Sequence, residues 1–231
     1  MKLILTKKPK SPIIIQGFPS LGLVSTITTK FLLDHLDTEE IGHIESENIM
    51  PLTAIHNSKV VYPITIYYNK KYNIVVVQSL TEVAGHEWEL ADTMLELAKT
   101  VSSKEIIVIE SLPSHEQTVN LFYYSNKNKL KLKPISEGIV MGTTAALLLR
   151  AEKFPVTCIF AEAHSQMPDS EAAAKVVEFL DTYLKLKIDY KPLLEAAKKF
   201  EANLKQFIEK QQSSMASMKG KQKEDDVSYM G

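Results

Sequence analysis

Carboxylate and imidazole side chains follow two apolar segments of this chain, and such groups together can transfer protons or bind a metal ion. One group lies at the end of the segment 105–110, and the other lies just past the segment 156–161. The residues are Glu110 and His115 in the first group, and Glu162, His164 and Asp169 in the second. If both segments are parallel strands, their carboxyl ends meet at one edge of a sheet, where α/β proteins form sites.

The same residues also have an interpretation without catalysis. Asp169 lies at a predicted helix start, where its carboxylate can cap the helix, and loop polarity accounts for the others. The chain has neither His-Glu-x-x-His nor Gly-x-Ser-x-Gly, two motifs of hydrolytic enzymes. The sequence therefore leaves open a pocket formed by Glu110, Glu162 and His164, and it predicts no metal site and no cofactor.

Gly17 and Gly22 enclose a turn between a predicted strand and a predicted helix, which is the position of phosphate-binding loops. A P-loop requires Lys and Ser or Thr after its second glycine, where this chain has Leu23 and Val24. Phe18 within the turn is typical of an apolar contact instead. The preferred interpretation is a tight turn that lets the helix pack onto the sheet, with nucleotide binding as the alternative.

The segment 211–231 is polar and carries several Lys and Ser residues, but it has an apolar tip formed by Val227, Tyr229 and Met230, followed by Gly231. Such a segment has little to bury, so we expect it to be mobile. A mobile tether with an aromatic tip and a free carboxylate has the layout of a docking peptide. An ordinary frayed terminus is the alternative.

Composition bounds the class of protein. A length of 231 residues with 45% hydrophobic content suits one α/β domain, or a domain with an appendage. A net charge of −1 and a single arginine, Arg150, argue against a nucleic-acid or membrane partner. The single cysteine, Cys158, is expected to be a buried, inert thiol and suits a cytoplasmic protein. We expect neither a signal peptide nor a membrane span, which needs ~18 apolar residues.

Apolar runs alternate with segments of helical periodicity along the chain. Strands are predicted at 13–15, 60–68, 73–79, 105–110, 119–124, 130–132 and 156–161. Helices are predicted at 23–36, 86–101, 145–150, from about 169 to 185, and at 189–211. Short polar connections at 69–72 and 125–129 predict antiparallel hairpins. This order predicts a three-layer α/β/α fold with a mostly parallel central sheet, added antiparallel hairpins and a long C-terminal helix.

The expected organisation has three parts. Residues 1–188 form the α/β core domain, and residues 212–231 form a flexible tail with a docking tip. Between them, the helix 189–211 carries an apolar stripe that must cover either the domain's own sheet or a neighbouring subunit.

Three segments of the chain, in the right order and spacing, resemble one family. Residues 17–24, Gly-Phe-Pro-Ser-Leu-Gly-Leu-Val, resemble its signature Gly-Phe-Pro-Gly-x-Gly-Leu-Val-Gly. Residues 163–173 resemble its His…Pro-Asp-x-x-Ala-Ala segment, and residues 138–149 resemble its Gly-x-x-x-Gly…Leu-Leu element. The family is the proteasome assembly chaperones, in the archaeal and bacterial branch, and the resemblance covers roughly residues 10–205.

This resemblance implies a phosphorylase/hydrolase-like fold and a homo-oligomer without enzymatic activity. The sequence leaves open whether a paralogous chaperone shares the complex. It identifies Gly17, Phe18, Pro19 and Gly22 as the signature turn. For archaeal members, it implies binding of the 20S proteasome α-ring through a C-terminal hydrophobic–tyrosine–any tripeptide. The carboxylate would then meet a lysine between α-subunits while the aromatic ring fills a neighbouring slot.

The resemblance therefore predicts a non-catalytic assembly chaperone or proteasome-binding adaptor. The alternative is an enzyme of the same fold class, a nucleoside phosphorylase or hydrolase that uses Glu110, Glu162 and His164. A third possibility is a purely structural oligomer with an inert tail.

The chain departs from the family pattern in two places. Tyr229 is third from last, whereas the family's tripeptide places tyrosine next to last. If the carboxylate anchors the tail, Met230 occupies the tyrosine slot; if the ring anchors it, the carboxylate overshoots by one residue, or ~3.3 Å. Ser20 and Ser25 replace signature glycines, and because serine adopts a left-handed backbone less readily, a local difference in the turn is expected.

Overall fold

The computed structural model describes residues 1–56, 58–114, 118–127, 129–164 and 167–195. The strands of this part are β1 (Lys2–Leu5), β2 (Ile13–Gly17), β3 (Glu39–Glu45), β4 (Ala54–His56), β5 (Lys59–Val61), β6 (Ile64–Asn69), β7 (Ile74–Ser79), β8 (Glu105–Pro113), β9 (Leu121–Ser125), β10 (Lys133–Pro134) and β11 (Val156–Ala163). The α-helices are α1 (Val24–His35), α2 (Glu87–Thr100), α3 (Gly142–Ala151) and α4 (Ser170–Leu184).

A nine-stranded mixed sheet forms the middle layer of the described part, with strand order β1-β3-β6-β7-β2-β8-β11-β9-β10. The four central strands, β7, β2, β8 and β11, run parallel to one another. Antiparallel strands extend the sheet on both sides, through β6, β3 and β1 at one edge and through β9 at the other. The central strands read as nearly continuous apolar runs because helices cover both of their faces.

The helices divide between the two faces of the sheet, and the alternation of strand side chains decides which residues meet them. Ile14 and Ile106 belong to one apolar cluster with residues of α2 and α3. Ile15 and Ile107, their chain neighbours, belong to a second cluster with residues of α1 and α4. This arrangement confirms the predicted α/β fold class and gives the molecule its three layers.

The predicted strand 60–68 is interrupted at Tyr62 and Pro63. β5 pairs with β4 in a separate two-stranded sheet, whereas β6 enters the main sheet antiparallel to β7. Proline has no backbone N–H to donate, so it ends the ladder at this point. The predicted hairpin across 69–72 is confirmed by the antiparallel pairing of β6 and β7.

The predicted hairpin across 125–129 is wrong. Residues 130–132 are not in a strand, and β10 pairs with β9 in the parallel direction, with Lys133 opposite Phe122. Leu130 and Leu132 both pack against the apolar cluster on the α1/α4 face. The chain therefore leaves the sheet after β9 and passes over this face before it pairs again.

The start of α4 agrees with the prediction, since the Asp169 carboxylate accepts a hydrogen bond from the Ala172 N–H at 2.9 Å. Beyond α4, residues 191–195 are helical, and Leu193 is buried in the α1/α4 cluster. The rest of the predicted helix 189–211 and the predicted tail 212–231 lie outside the described residues. None of the helices in the described part has the length and apolar character needed to cross a membrane.

The close packing of α1 on β2 depends on Gly17. A Cβ atom at this position would lie 2.2 Å from Thr29 Cγ2 and 2.3 Å from Thr29 Oγ1, far inside van der Waals contact. We therefore expect Gly17→Ala to lower the free energy of unfolding by about 1–3 kcal/mol, measured by chemical denaturation.

The matched control is Gly138→Ala, because a Cβ there meets only Ile135 Cγ2, at 3.6 Å. This control should stay within about 0.5 kcal/mol of the wild type. Equal losses of stability in the two variants would contradict the packing argument.

Candidate functional site

Two serines form hydrogen bonds within the turn that follows β2. Ser25 Oγ donates a hydrogen bond to the Phe18 carbonyl at 2.6 Å, and Ser20 has an extended backbone with φ of −142°. The left-handed positions of the turn are Gly22, with φ of 63°, and Leu23, with φ of 52°. Ser25 lies within α1, so neither serine occupies a left-handed position or needs the conformational freedom of glycine.

The other side of the turn packs against the second family segment. The Asp169 N–H donates to the Gly22 carbonyl at 2.8 Å. A Cβ atom on Gly22 would lie 3.0 Å from Asp169 Cβ and 3.3 Å from Ala163 Cβ. The turn, the end of β11 and the start of α4 therefore form one packed unit, and this contact accounts for Gly22 without a phosphate.

The three predicted pocket residues have different surroundings. Glu162 accepts hydrogen bonds from the backbone N–H and the side-chain amide of Asn120, at 3.1 and 2.7 Å. His164 Nδ1 lies 3.1 Å from Asp169 Oδ2, next to the cap of α4. Of the three, only Glu110 lines the cavity described below. The structure thus places Glu162 and His164 at contacts between elements of the fold.

In the part of the chain that the structure describes, groups of three or more His, Cys, Asp or Glu side chains suited to a metal ion are absent. His115, which the sequence places near Glu110, lies outside the described residues.

A cavity of about 350 Å³ opens at the carboxyl ends of the central parallel strands. Gln16 on β2 and Glu110 on β8 line it from the sheet, and Phe18 and Pro19 line it from the turn. The remaining lining comes from residues 81–84 before α2, from Glu87, and from residues 141–144 at the start of α3. This edge of a parallel sheet is where α/β proteins bind ligands.

Glu110 is the titratable group that the cavity affects most clearly. Burial raises the pKa of its carboxyl, against the opposing effect of hydrogen bonds from the Thr144 hydroxyl and the Ser111 backbone N–H. Burial also raises the pKa of the Cys158 thiol far above its usual range, and the nearby Glu110 charge adds to this effect. Cys158 is therefore a buried thiol with little thiolate, as the sequence predicts.

Sequence reasoning found Glu110 but missed Gln16 and Thr144. Gln16 directly follows the apolar run 13–15 and is only 1% exposed, and Thr144 is buried in the first turn of α3. The available signal was the position of Gln16 at the end of a predicted parallel strand, next to the signature turn.

Comparisons with known proteins give a family match and a similar archaeal protein. The sequence model of the PAC2 family matches residues 14–208, which include both the turn and the Asp169 segment. An uncharacterised protein of Methanocaldococcus jannaschii is 26% identical over 217 residues, covering 90% of both chains.

Two solved structures share the fold. Pyrococcus furiosus PbaA, described as an archaeal homolog of proteasome-assembly chaperone, superposes with a TM-score of 0.83 at 24% identity over 99% of both chains. Pyrococcus furiosus PbaB, described as an archaeal proteasome activator, gives 0.76 at 21% identity, covering 89% of this chain and 98% of its own.

The raised pKa of Glu110 makes stability depend on pH in a known direction. A protonated carboxyl contributes stability that is fully present below the unfolded-state pKa, near 4.5, and is lost as the pH rises through the higher folded-state pKa. Glu110→Gln has no proton to lose. Its free energy of unfolding relative to wild type should therefore increase from about pH 4.5 to about pH 8, by about 1.4 kcal/mol per unit of pKa difference.

Urea denaturation of both proteins at the two pH values measures this change. Glu96→Gln is the control, because it removes an exposed carboxylate from α2 with the same change of charge. Its difference from wild type should stay constant within about 0.5 kcal/mol. A Glu110→Gln difference that does not vary with pH would contradict the raised pKa.

Proposed function

The chain belongs to the PAC2 family, and from this membership we propose that it is a non-catalytic proteasome assembly chaperone or adaptor that binds the 20S α-ring. The observation that carries the proposal is the family match over residues 14–208, within a family whose solved relatives include PbaA and PbaB. In this proposal the folded domain builds a homo-oligomer in the cytoplasm, and the C-terminal tail binds the proteasome.

The contacts of the candidate acid–base residues support a non-catalytic role. Glu162 on β11 joins its strand to Asn120 just before β9, and His164 contacts Asp169, which caps α4. Each contact connects two elements of the fold. Residues that stabilise a scaffold are expected to be arranged in this way, whereas an acid–base pair would converge on one cavity.

The proposed docking residues are Val227, Tyr229, Met230 and Gly231, and they lie outside the described residues, so their role rests on the sequence. An aromatic side chain in a pocket is a common energetic centre of a protein interface. Several tails on one oligomer raise the effective concentration of each tail at the α-ring, so that weak individual contacts suffice. This avidity offsets the displacement of Tyr229 from the family's position.

The proposed homo-oligomer has a candidate surface in the small sheet of β4 and β5. Ile55 and Val60 form a cross-strand pair in which the residues are 78% and 66% exposed, and Met50, which precedes β4 in the chain, is 67% exposed. Adjacent apolar side chains that are this exposed are typical of a protein interface. A second copy of the chain is the partner proposed for this surface.

Removal of the tail tests the proposed docking. Full-length protein is expected to bind purified archaeal 20S particles at low salt, and a 1–226 truncation should bind about 30-fold more weakly, corresponding to the ~2 kcal/mol of an aromatic anchor. Surface-immobilised particles and titration of each variant give the two affinities.

The control is Ser228→Ala, which keeps the tail length, the ring and the carboxylate and should bind like the wild type. Equal binding by full-length and truncated protein would place the interface on the folded domain. Absence of binding by both would contradict the proteasome proposal itself.

The same assay distinguishes the two possible registers of the tail. A 1–230 variant, which lacks only Gly231, places Tyr229 next to last, as the family's tripeptide requires. If the α-ring binds the terminal carboxylate and the Tyr229 ring at the same time, this variant should bind more tightly than the wild type. If the ring alone anchors the tail, Tyr229→Ala should abolish binding while the 1–230 variant remains unchanged.

A charge placed on the small sheet tests the proposed oligomer surface. The double substitution Ile55→Asp and Val60→Asp should reduce the molar mass measured by size exclusion with light scattering, because a buried interface does not accommodate unpaired carboxylates. Lys59→Ser, at the neighbouring exposed position on β5, should leave the mass unchanged. An unchanged mass in the double variant would place the interface elsewhere.

A further inference from the structure

Gln16 is the feature of the cavity that the fold does not explain. Gln16 is only 1% exposed, and its Oε1 atom accepts no hydrogen bond from any donor in the described part of the chain. A buried acceptor without a donor is costly and uncommon in folded proteins. Gln16 lines the cavity, so a ligand within the cavity is in position to supply the donor.

A second acceptor lies on the same face of the sheet. Gln16 on β2 is paired in register with Val108 on β8, and Glu110 is two residues further along β8. Because side chains alternate along a strand, Gln16 and Glu110 both face the α2/α3 side. The amide oxygen of Gln16 and the carboxylate of Glu110 therefore present two neighbouring acceptors to one space.

The charged side chains in the described lining of the cavity are all acidic. Its described lining contains Glu82, Glu87 and Glu110, and includes neither lysine, arginine nor histidine. Carboxylates without basic neighbours favour a cation and disfavour an anion.

The amino end of α3 does not reverse this preference, although helix amino ends attract anions. Met141, at its N-cap, makes no side-chain capping hydrogen bond. However, the first turn of α3 already has an anionic partner from within the protein, because the Thr144 hydroxyl donates to Glu110. An anion bound at this helix end would therefore lie in the same cavity as the Glu110, Glu82 and Glu87 carboxyl groups.

The rest of the described lining combines apolar side chains with three threonines, Thr81, Thr143 and Thr144. Phe18 and Pro19 come from the signature turn, Val83 and Ala84 from the loop before α2, and Met141 from the start of α3. Such walls suit the carbon chain of a ligand, and an aromatic ring also attracts a cation. The volume of about 350 Å³ falls within the range of small-molecule sites.

We infer that this cavity binds a small molecule that carries an ammonium or guanidinium group. Gln16 Oε1 and the Glu110 carboxylate accept hydrogen bonds from its N–H groups, and the apolar walls contact its carbon chain. The described lining of this site shares no residue with the proposed docking tip or with the β4–β5 surface. It goes beyond the proposed proteasome function and does not depend on it.

Calorimetric titration of the full-length protein with four probes tests the inference. Agmatine and 1,4-diaminobutane carry the required cations, 1,4-butanediol is the neutral analogue, and inorganic phosphate is the anion. At least one of the two amines is expected to bind with one site per chain and to raise the melting temperature, whereas the diol and phosphate have no effect. Binding of phosphate without amines, or binding of no probe at about 10 mM, where millimolar affinities are detectable, would overturn the inference.

Two substitutions locate the site. Gln16→Met keeps the shape of the side chain but removes the acceptor, and Glu110→Gln removes the charge. Each should weaken binding of the amine by about tenfold or more, because hydrogen bonds to charged groups are strong. Glu96→Gln, an exposed carboxylate of α2 outside the cavity, should leave the affinity unchanged.

Thermal unfolding of each variant shows whether it is folded, so that either variant can decide the result alone. In the wild type, the side-chain amide resonance of Gln16 should shift on titration with the amine, and this measurement needs no substitution. Folded variants that bind like the wild type, together with an unshifted Gln16 resonance, would overturn the assignment of the site.

Discussion

The hydrogen bonds of Asp169 connect the elements on which the rest of the structure depends. One carboxylate oxygen accepts from the Ala172 N–H at 2.9 Å and the other from the His164 N–H at 3.1 Å, while the Asp169 N–H donates to the Gly22 carbonyl at 2.8 Å. These bonds fix the start of α4, the end of β11 and the turn before α1 relative to one another. Since α1 and α4 cover the same face of the sheet, the contact also fixes that layer.

One side of the signature turn makes these contacts with Asp169, whereas the other side faces the cavity. Gly22 packs closely against Asp169 and Ala163, and its left-handed backbone also favours glycine. Phe18 and Pro19, on the other side, line the cavity above the ends of β2 and β8. The contacts of Gly22 fix the position of the turn, and they therefore also fix the part of the cavity wall that Phe18 and Pro19 form. The same short segment therefore explains both the packing of the first helix and the shape of the candidate site.

The sequence predicted the central sheet well because those strands are covered on both faces and consist of uninterrupted apolar runs, as at 105–110. It missed β1 and β3, since edge strands such as Glu39–Glu45 mix charged and apolar residues and give a weak signal. It also assigned a hairpin where β10 pairs in parallel. That error arose because the contacts of Leu130 and Leu132 with a distant helix layer, and not the local spacing, decide the direction of pairing.

The candidate site shows the same division between local and distant causes. Asp169 was predictable as a helix cap because its partner, Ala172, is three residues away and the pattern is local. Glu110 was predictable as a site residue only from its place at a strand end, and its partner Thr144 is 34 residues away. Gln16 Oε1 is buried and has no hydrogen-bond donor among the described residues, and this depends on how close α3 and the loop before α2 come to the sheet. Local patterns therefore predict the scaffold of this site, whereas its chemistry is set by groups that only the tertiary fold brings together.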